Sequence, residues 1–352
     1  MRRSPERVTL RHIADAAGVH PATASRALNP RTAAMISDET RQRIQAVASR
    51  LGYIPSVPAR TLRKGRSHTV GVIVADLENP YSGRMIRGVE NALDGRGMMA
   101  LVAETRDDVD RMARIVDHLL GRSIDAIICS GARKASERVL RKAFNQVPVV
   151  LVDRVLSGSG LPSVAPDDHQ GGGLAARHLI DLGHTLLAQV KGSRDISSFE
   201  RRARGFDDAV AASPAEQIEL DETAAEPSVD EGSRIMSILI ASSPVPTGVF
   251  AHNDHLALGV LRALDEHGLS CPGYVSVVGY DDLPVTEFTS PPLTSIHLPG
   301  YQLGRMAAEL AVAMTEDPTY VTSDLVVSLT MTIRGSTAAP RSAPVPTAAS
   351  SS

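Results

Sequence analysis

The most chemically distinctive side chains stand at the ends of short apolar runs. Asp153 closes VPVVLVD, Asn253 and Asp254 close GVFAHN, and Asp281 and Asp282 close VSVVGYDD. Arg202 opens a helical stretch after the loop KGSRDISS. Carboxylate, amide and guanidinium groups beyond the carboxyl ends of strands are where open α/β sheets take ligands. The same residue types also cap helices, and that role is expected for Asp254 and Asp282. His252 beside Asn253 suits either cleft lining or packing. No nucleophile–base constellation is evident and the histidines lack metal-ligand spacing, so no catalytic residue, metal ligand or cofactor is assigned. GGG at 171–173 lacks the context of a phosphate loop and reads as a permissive helix start.

These groups need a scaffold. The chain has 352 residues, of which 43% are hydrophobic and 22% charged, enough for two or three packed domains and too apolar for global disorder. Aromatics are only 3%, so the cores must be aliphatic and a site has few rings to stack on. TVGVIVA (69–75) is a β-branched apolar run of the kind a doubly covered parallel strand requires. Strand and helix patterns then alternate through MMALVAE, AIICS and VPVVLVD, and a second alternating set begins near residue 163. Two α/β subdomains with parallel sheets follow, facing each other across a cleft.

Charge divides the chain differently. Residues 1–66 hold 13 Lys and Arg against four acids, a net of +9, leaving −12 on the rest. A basic head on an acidic body suits a head that meets a polyanion. Thr9 is placed to cap LRHIADAA, Gly18 to end it, and PATASRAL forms a second short helix with Ala24 and Ala27 inward. Ser37 starts a third helix, with Ile44, Val47, Ala48 and Leu51 as its apolar stripe, and Gly52 stops it. Short helices joined by a tight glycine turn form a helix-turn-helix unit. SVPARTLRKGRS, too short for a stable isolated helix, links head and body. Two distant cysteines, Cys129 and Cys271, exclude a disulfide framework, and no export signal or apolar span is visible, so a cytoplasmic location away from membranes is expected.

VTLRHIADAAGV, ATASRALN, ISDETRQRIQAVASRLGYIP and ARTLRKGRSHTVGVIV, in this order, resemble the opening of the lactose repressor/galactose repressor family, and the match continues to about residue 335. The resemblance implies an all-α helix-turn-helix headpiece with a hinge helix, followed by a periplasmic-binding-protein-like body. It implies a repressor acting as a homodimer on a palindromic double-stranded operator, controlled by a small effector such as a sugar. It places PATASRALN in the major groove, with Thr23, Ser25 and Asn29 on phosphates and Arg26 on a guanine edge. Pro21 and Ala22 fall where operator choice is made, and here they offer only apolar contacts. Thr9, Tyr53 and Ala59 match further DNA-binding positions, and Leu62 matches the wedge that kinks the duplex. Tyr81, Ser82, Asp153, Arg202, Asn253 and Asp281 match effector-binding positions, with groups suited to vicinal hydroxyls or a purine edge. The usual NPFF-like stretch reads NPYSG, so Ser82 replaces a stacking ring, and Pro166, Pro227 and Gly300 stand where some relatives carry other contacts.

The expected divisions are headpiece 7–56, hinge 57–67, one effector subdomain from 68–166 plus 300–326, the other from 167–299 plus 327–335, and a disordered tail 336–352. A solute-binding protein of a transport system would share the body, but it would need an export signal and has no use for the basic head.

Overall fold

The computed structural model describes residues 8–29, 32–53, 66–242, 244–317, 319–320 and 324–340. The chain divides into two compact units, Met1–Ser67 and His68–Ser352.

The first unit holds helices α1 (Leu10–Ala17), α2 (Pro21–Ala27) and α3 (Asp38–Arg50). Thr9 caps α1 by accepting from the His12 N–H, and Gly18 ends it at φ 63°. That left-handed backbone costs a residue without Cβ nothing, and it turns the chain sharply into α2. Ile13, Ala14 and Ala17 of α1 meet Ala24 and Ala27 of α2 and Ile44, Val47 and Ala48 of α3 in one core. Alanines at the α1–α2 contact let the two helices approach closely.

The second unit contains two six-stranded sheets. Its elements are β1 (Thr69–Val74), α4 (Pro80–Asp94), β2 (Met99–Glu104), α5 (Val109–Gly121), β3 (Ala126–Cys129), α6 (Glu137–Phe144), β4 (Val149–Val152) and β5 (Ser163–Pro166). There follow α7 (Asp168–Asp181), β6 (Leu186–Val190), α8 (Ser197–Ala211), β7 (Glu216–Ile218), α9 (Val229–Ala241), β8 (Gly248–Ala251), α10 (Asp254–Glu266) and β9 (Ser276–Asp281). The last are β10 (Thr294–His297), α11 (Gly300–Glu316), β11 (Leu325–Val327) and β12 (Thr330–Thr332). The first sheet runs β11-β5-β4-β3-β1-β2 and is wholly parallel. The second runs β12-β10-β9-β8-β6-β7, parallel except for β12 on β10. The chain passes from sheet to sheet after Pro166, after His297 and after Val327.

The glycine run has a different purpose from a helix start. Gly172 lies inside α7, where an added Cβ would stand 2.0 Å from the Arg202 carbonyl oxygen, and one on Gly205 of α8 would stand 1.9 Å from that of His169. The backbones of α7 and α8 therefore touch. The same device joins α4 to α11 at Gly88 and Gly304. The chain end also departs from expectation. Ser336 is fully buried, its hydroxyl donates to the Val277 carbonyl at 2.6 Å, and the Ala338 carbonyl lies 2.9 Å from His184 Nε2. A Ser, Ala and Pro composition suggested disorder from 336, but β-sheet partners for its polar groups hold the segment through 340.

Asp282 does not cap a helix. Its carboxylate accepts from Arg334 at 2.7 Å, His297 Nδ1 at 3.0 Å and Thr332 at 3.0 Å, tying β9 to β10 and β12. Burial opposes its ionisation, but those hydrogen bonds and the Arg334 charge outweigh it and bring the carboxyl to about 2. A depressed carboxyl contributes stability that is present above its unfolded value of about 3.9 and is lost as pH falls through the folded value. Acid unfolding should therefore steepen between about pH 4 and pH 2, and Asp282→Asn should flatten that window. Identical profiles for the two proteins would remove this role.

Candidate functional site

Two surfaces carry the candidate residues. On the headpiece, Ala22 and Arg26 lie exposed one turn apart on α2, opposite buried Ala24 and Ala27. Thr23, Ser25 and Asn29 are half-buried at the flanks of that face, and Pro21 occupies the first turn. The exposed face of α2 thus offers a guanidinium set among small side chains, compact enough for a major groove. His20 caps α2, with Nδ1 accepting from the Ala22 N–H at 3.2 Å, a cap the sequence reading missed. Thr9 is exposed at its capping post, and Tyr53 is half-buried against the headpiece core. Ala59 and Leu62 lie outside the described residues.

In the body, a cavity of about 640 Å³ opens at the carboxyl ends of β1, β2, β3 and β4 and is bounded from the second lobe by Ala225, Glu226 and Pro227. Tyr81, Ser82 and Asp153 line it, as do Arg133, Arg154 and Asp107. Arg202, Asn253 and Asp281 do not line it. They are buried in a layer of their own, Arg202 and Asn253 at 3% exposure and Asp281 at 5%.

That layer is an ionic cluster. Arg202 Nε donates to Asp168 Oδ1 at 2.9 Å, its Nη1 donates to the His252 carbonyl at 2.6 Å, and Asp281 lies 4.0 Å away. The guanidinium sits 3.5 Å from the centre of the Tyr280 ring, whose hydroxyl donates to the same Asp168 oxygen at 2.6 Å. Burial, together with neighbouring Asp168, raises the Asp153 carboxyl to about 6 against the pull of Arg202 and Arg154. Burial likewise lifts Asp281 well above the usual carboxylate range. Asp153, Asp281 and Asp282 all have left-handed backbone, at φ 68°, 108° and 54°. Such strain is held only where surrounding structure enforces it, and it gathers at ligand sites.

The helix cap falls on the neighbour of the residue expected to supply it. Asn253 caps α10, its Oδ1 accepting from the Leu256 N–H at 2.9 Å. Asp254, expected as the cap, is fully buried and instead accepts from the Leu283 N–H and the Ser295 hydroxyl, both at 2.7 Å. His252 packs in the interior: Nε2 lies 2.8 Å from Gln189 Oε1, Nδ1 accepts from the Gly192 N–H, and burial keeps the ring neutral. Asp168, Asp107 and Arg154 were missed, although the strand-end rule that selected Asp153 applies equally to each. Among the described residues no cluster of His, Cys, Asp and Glu could hold a metal ion, and no helix is long and apolar enough to cross a membrane.

A helix-turn-helix head on a two-lobed ligand-binding body is the plan of a ligand-responsive transcription regulator. Residues 9–56 match the model of "Bacterial regulatory proteins, lacI family", and residues 176–337 match a periplasmic binding protein-like domain. The chain is 32% identical over 325 residues to the HTH-type transcriptional regulator GalR of Salmonella typhimurium, covering 91% of this chain and 94% of that protein. It is 29% identical to the ribose operon repressor of Escherichia coli, over 93% of this chain and 99% of the other. Its structure resembles the Lac repressor dimer bound to operator and an anti-inducer, with a TM-score of 0.85, 26% identity and coverage of 95% and 100%. The chain belongs to the lacI family of bacterial regulatory proteins, as a DNA-binding transcription regulator.

Proposed function

We propose that this regulator represses transcription from the cytoplasm, gripping a palindromic operator as a homodimer, and that a small polyhydroxylated metabolite in the body cleft controls it. The cleft carries this reading: a cavity bounded by both lobes couples ligand occupancy to lobe closure. Closure would reposition paired heads, and ligand and operator affinities then change each other by the same factor. The bound sugars of relatives support it, among them the cellobiose complex of the regulator CelR, 29% identical with a TM-score of 0.71 over 94% of this chain and all of the other. Tyr81, Ser82 and Asp153 would touch the effector first, and Arg202 and Asp281 would answer from the layer behind. Asn253 is proposed to line the closed form through its amide nitrogen. The hinge reading of Ala59 and Leu62 rests on the family resemblance alone.

Selection of duplexes from a random pool, followed by anisotropy with and without a sugar panel, tests both halves. A chain that enriches no sequence at low salt refutes the operator reading. Arg26→Ala should weaken the selected duplex by about 1–3 kcal/mol and leave random DNA nearly unaffected. Equal losses on both duplexes would place Arg26 on a phosphate.

A further inference from the structure

The cations of the cleft are all engaged. Arg106 pairs with Glu104 at 2.8 Å, Arg133 and Arg154 both pair with Asp107, and Arg202 pairs with Asp168. Only some of the carboxylates are paired in return, Glu104 and Asp107 in the lining and Asp168 behind it. Asp153, Glu226, Asp76 and Glu78 form no ion pair with any described residue, although all four line the cavity. The lining carries six carboxylates against three guanidinium groups, a formal −3, while in the layer behind Arg202 offsets Asp168 and burial favours the neutral form of Asp281. Asp76, Glu78 and Glu226 are exposed and add to the negative field at the cavity mouth, whereas the Asp153 carboxylate reaches inward with a buried oxygen, where charge is costly unless a proton or a cationic partner compensates it.

A second observation comes from hydrogen bonding. The Tyr81 hydroxyl is buried without a partner, on a side chain only 7% exposed that lines the cavity. Asp153 Oδ1 is likewise buried without a partner. Buried polar atoms are nearly always satisfied, so the pair marks where a ligand's donors belong. A phosphorylated sugar would find no uncommitted guanidinium here. A neutral sugar would satisfy the hydrogen bonds and leave the charge.

We propose that the effector is a cation, a polyhydroxylated molecule bearing a protonated amine, with its ammonium group on Asp153 and a hydroxyl or amine contact to Tyr81. This rests on the body cleft being the effector site. In the empty cleft a proton does part of the same work, since Asp153 titrates near 6 under burial and Asp168. Asp281, Arg202, Arg154 and Tyr81 also face it.

Calorimetry and melting of the full chain with matched probes would test the charge: galactosamine against galactose, glucosamine against glucose, and tris(hydroxymethyl)aminomethane against pentaerythritol. At least one amine should bind about tenfold or more tightly than its neutral partner, a difference of about 1.4 kcal/mol. N-acetylation should abolish the preference. Counted per protonated amine, binding should fall about fourfold from about pH 7.5 to about pH 5.5, as a carboxylate near 6 is protonated. Asp153→Asn should remove both effects, and the exposed Glu226→Gln should narrow the preference without risk to folding. Neutral sugars binding as well as or better than amines would overturn the charge assignment and leave the effector reading standing. A cleft that takes none of the probes would overturn both.

Discussion

Arg202→Met should cost the body about 3–5 kcal/mol, the loss found when one partner of a buried ion pair is removed. Arg202 neutralises Asp168 at 2.9 Å and lies 4.0 Å from Asp281, with both carboxylates almost fully buried. Methionine preserves much of the packing against Tyr280 and Phe199 but removes the cation of Asp281 and leaves Asp168 only the weaker pull of Arg201. Each acid must then protonate or stay charged in an apolar surrounding. The destabilisation should therefore be larger at about pH 8 than at about pH 5, because protonation relieves it at the lower pH. Urea unfolding at both values measures this. A variant that unfolds at the same urea concentration as its parent would show that the cluster is not what holds the second lobe together.

Gly205→Val should also destabilise strongly, by an amount at or above the upper end of about 1–3 kcal/mol for overpacking. The first added carbon would stand 1.9 Å from a backbone oxygen of α7, and a main-chain atom cannot swing aside as a side chain can. The two helices would have to separate. Arg202 rides on α8 and Asp168 opens α7, so separation also lengthens their ion pair. This variant should lose stability and effector response together. Gly121→Ala provides the contrast: it lies at the end of α5 with nothing within 4 Å of an added Cβ, and it should be neutral or stabilise by about 0.4–1 kcal/mol. Matching melting temperatures for the Gly205 variant and its parent would refute the close crossing.

Much of this molecule is readable from neighbouring residues. Thr9 and Gly18 bracket the first helix, Ala24 and Ala27 face inward, and VPVVLVD and VSVVGYDD end where the cleft and its buried layer begin. These features depend on caps, on periodicity and on the strand-end rule, all of which act over a few residues. The charge split between head and body is a property of composition and needs no fold at all.

Partnership among the buried charges is another matter. Asp153, Asp168, Arg202 and Asp281 come from four different elements, and which acid takes the guanidinium depends on helix separation. That separation is set by Gly172 and Gly205, which in sequence look like permissive spacing. Asn253 and Asp254 are adjacent, and only the position of Leu283 and Ser295 decides which one caps and which one braces. The sequence alone therefore determined the elements, their order and the ends at which chemistry gathers. Tertiary structure decided the pairings, because electrostatic and hydrogen-bond energies change over ångströms that no spacing along the chain records.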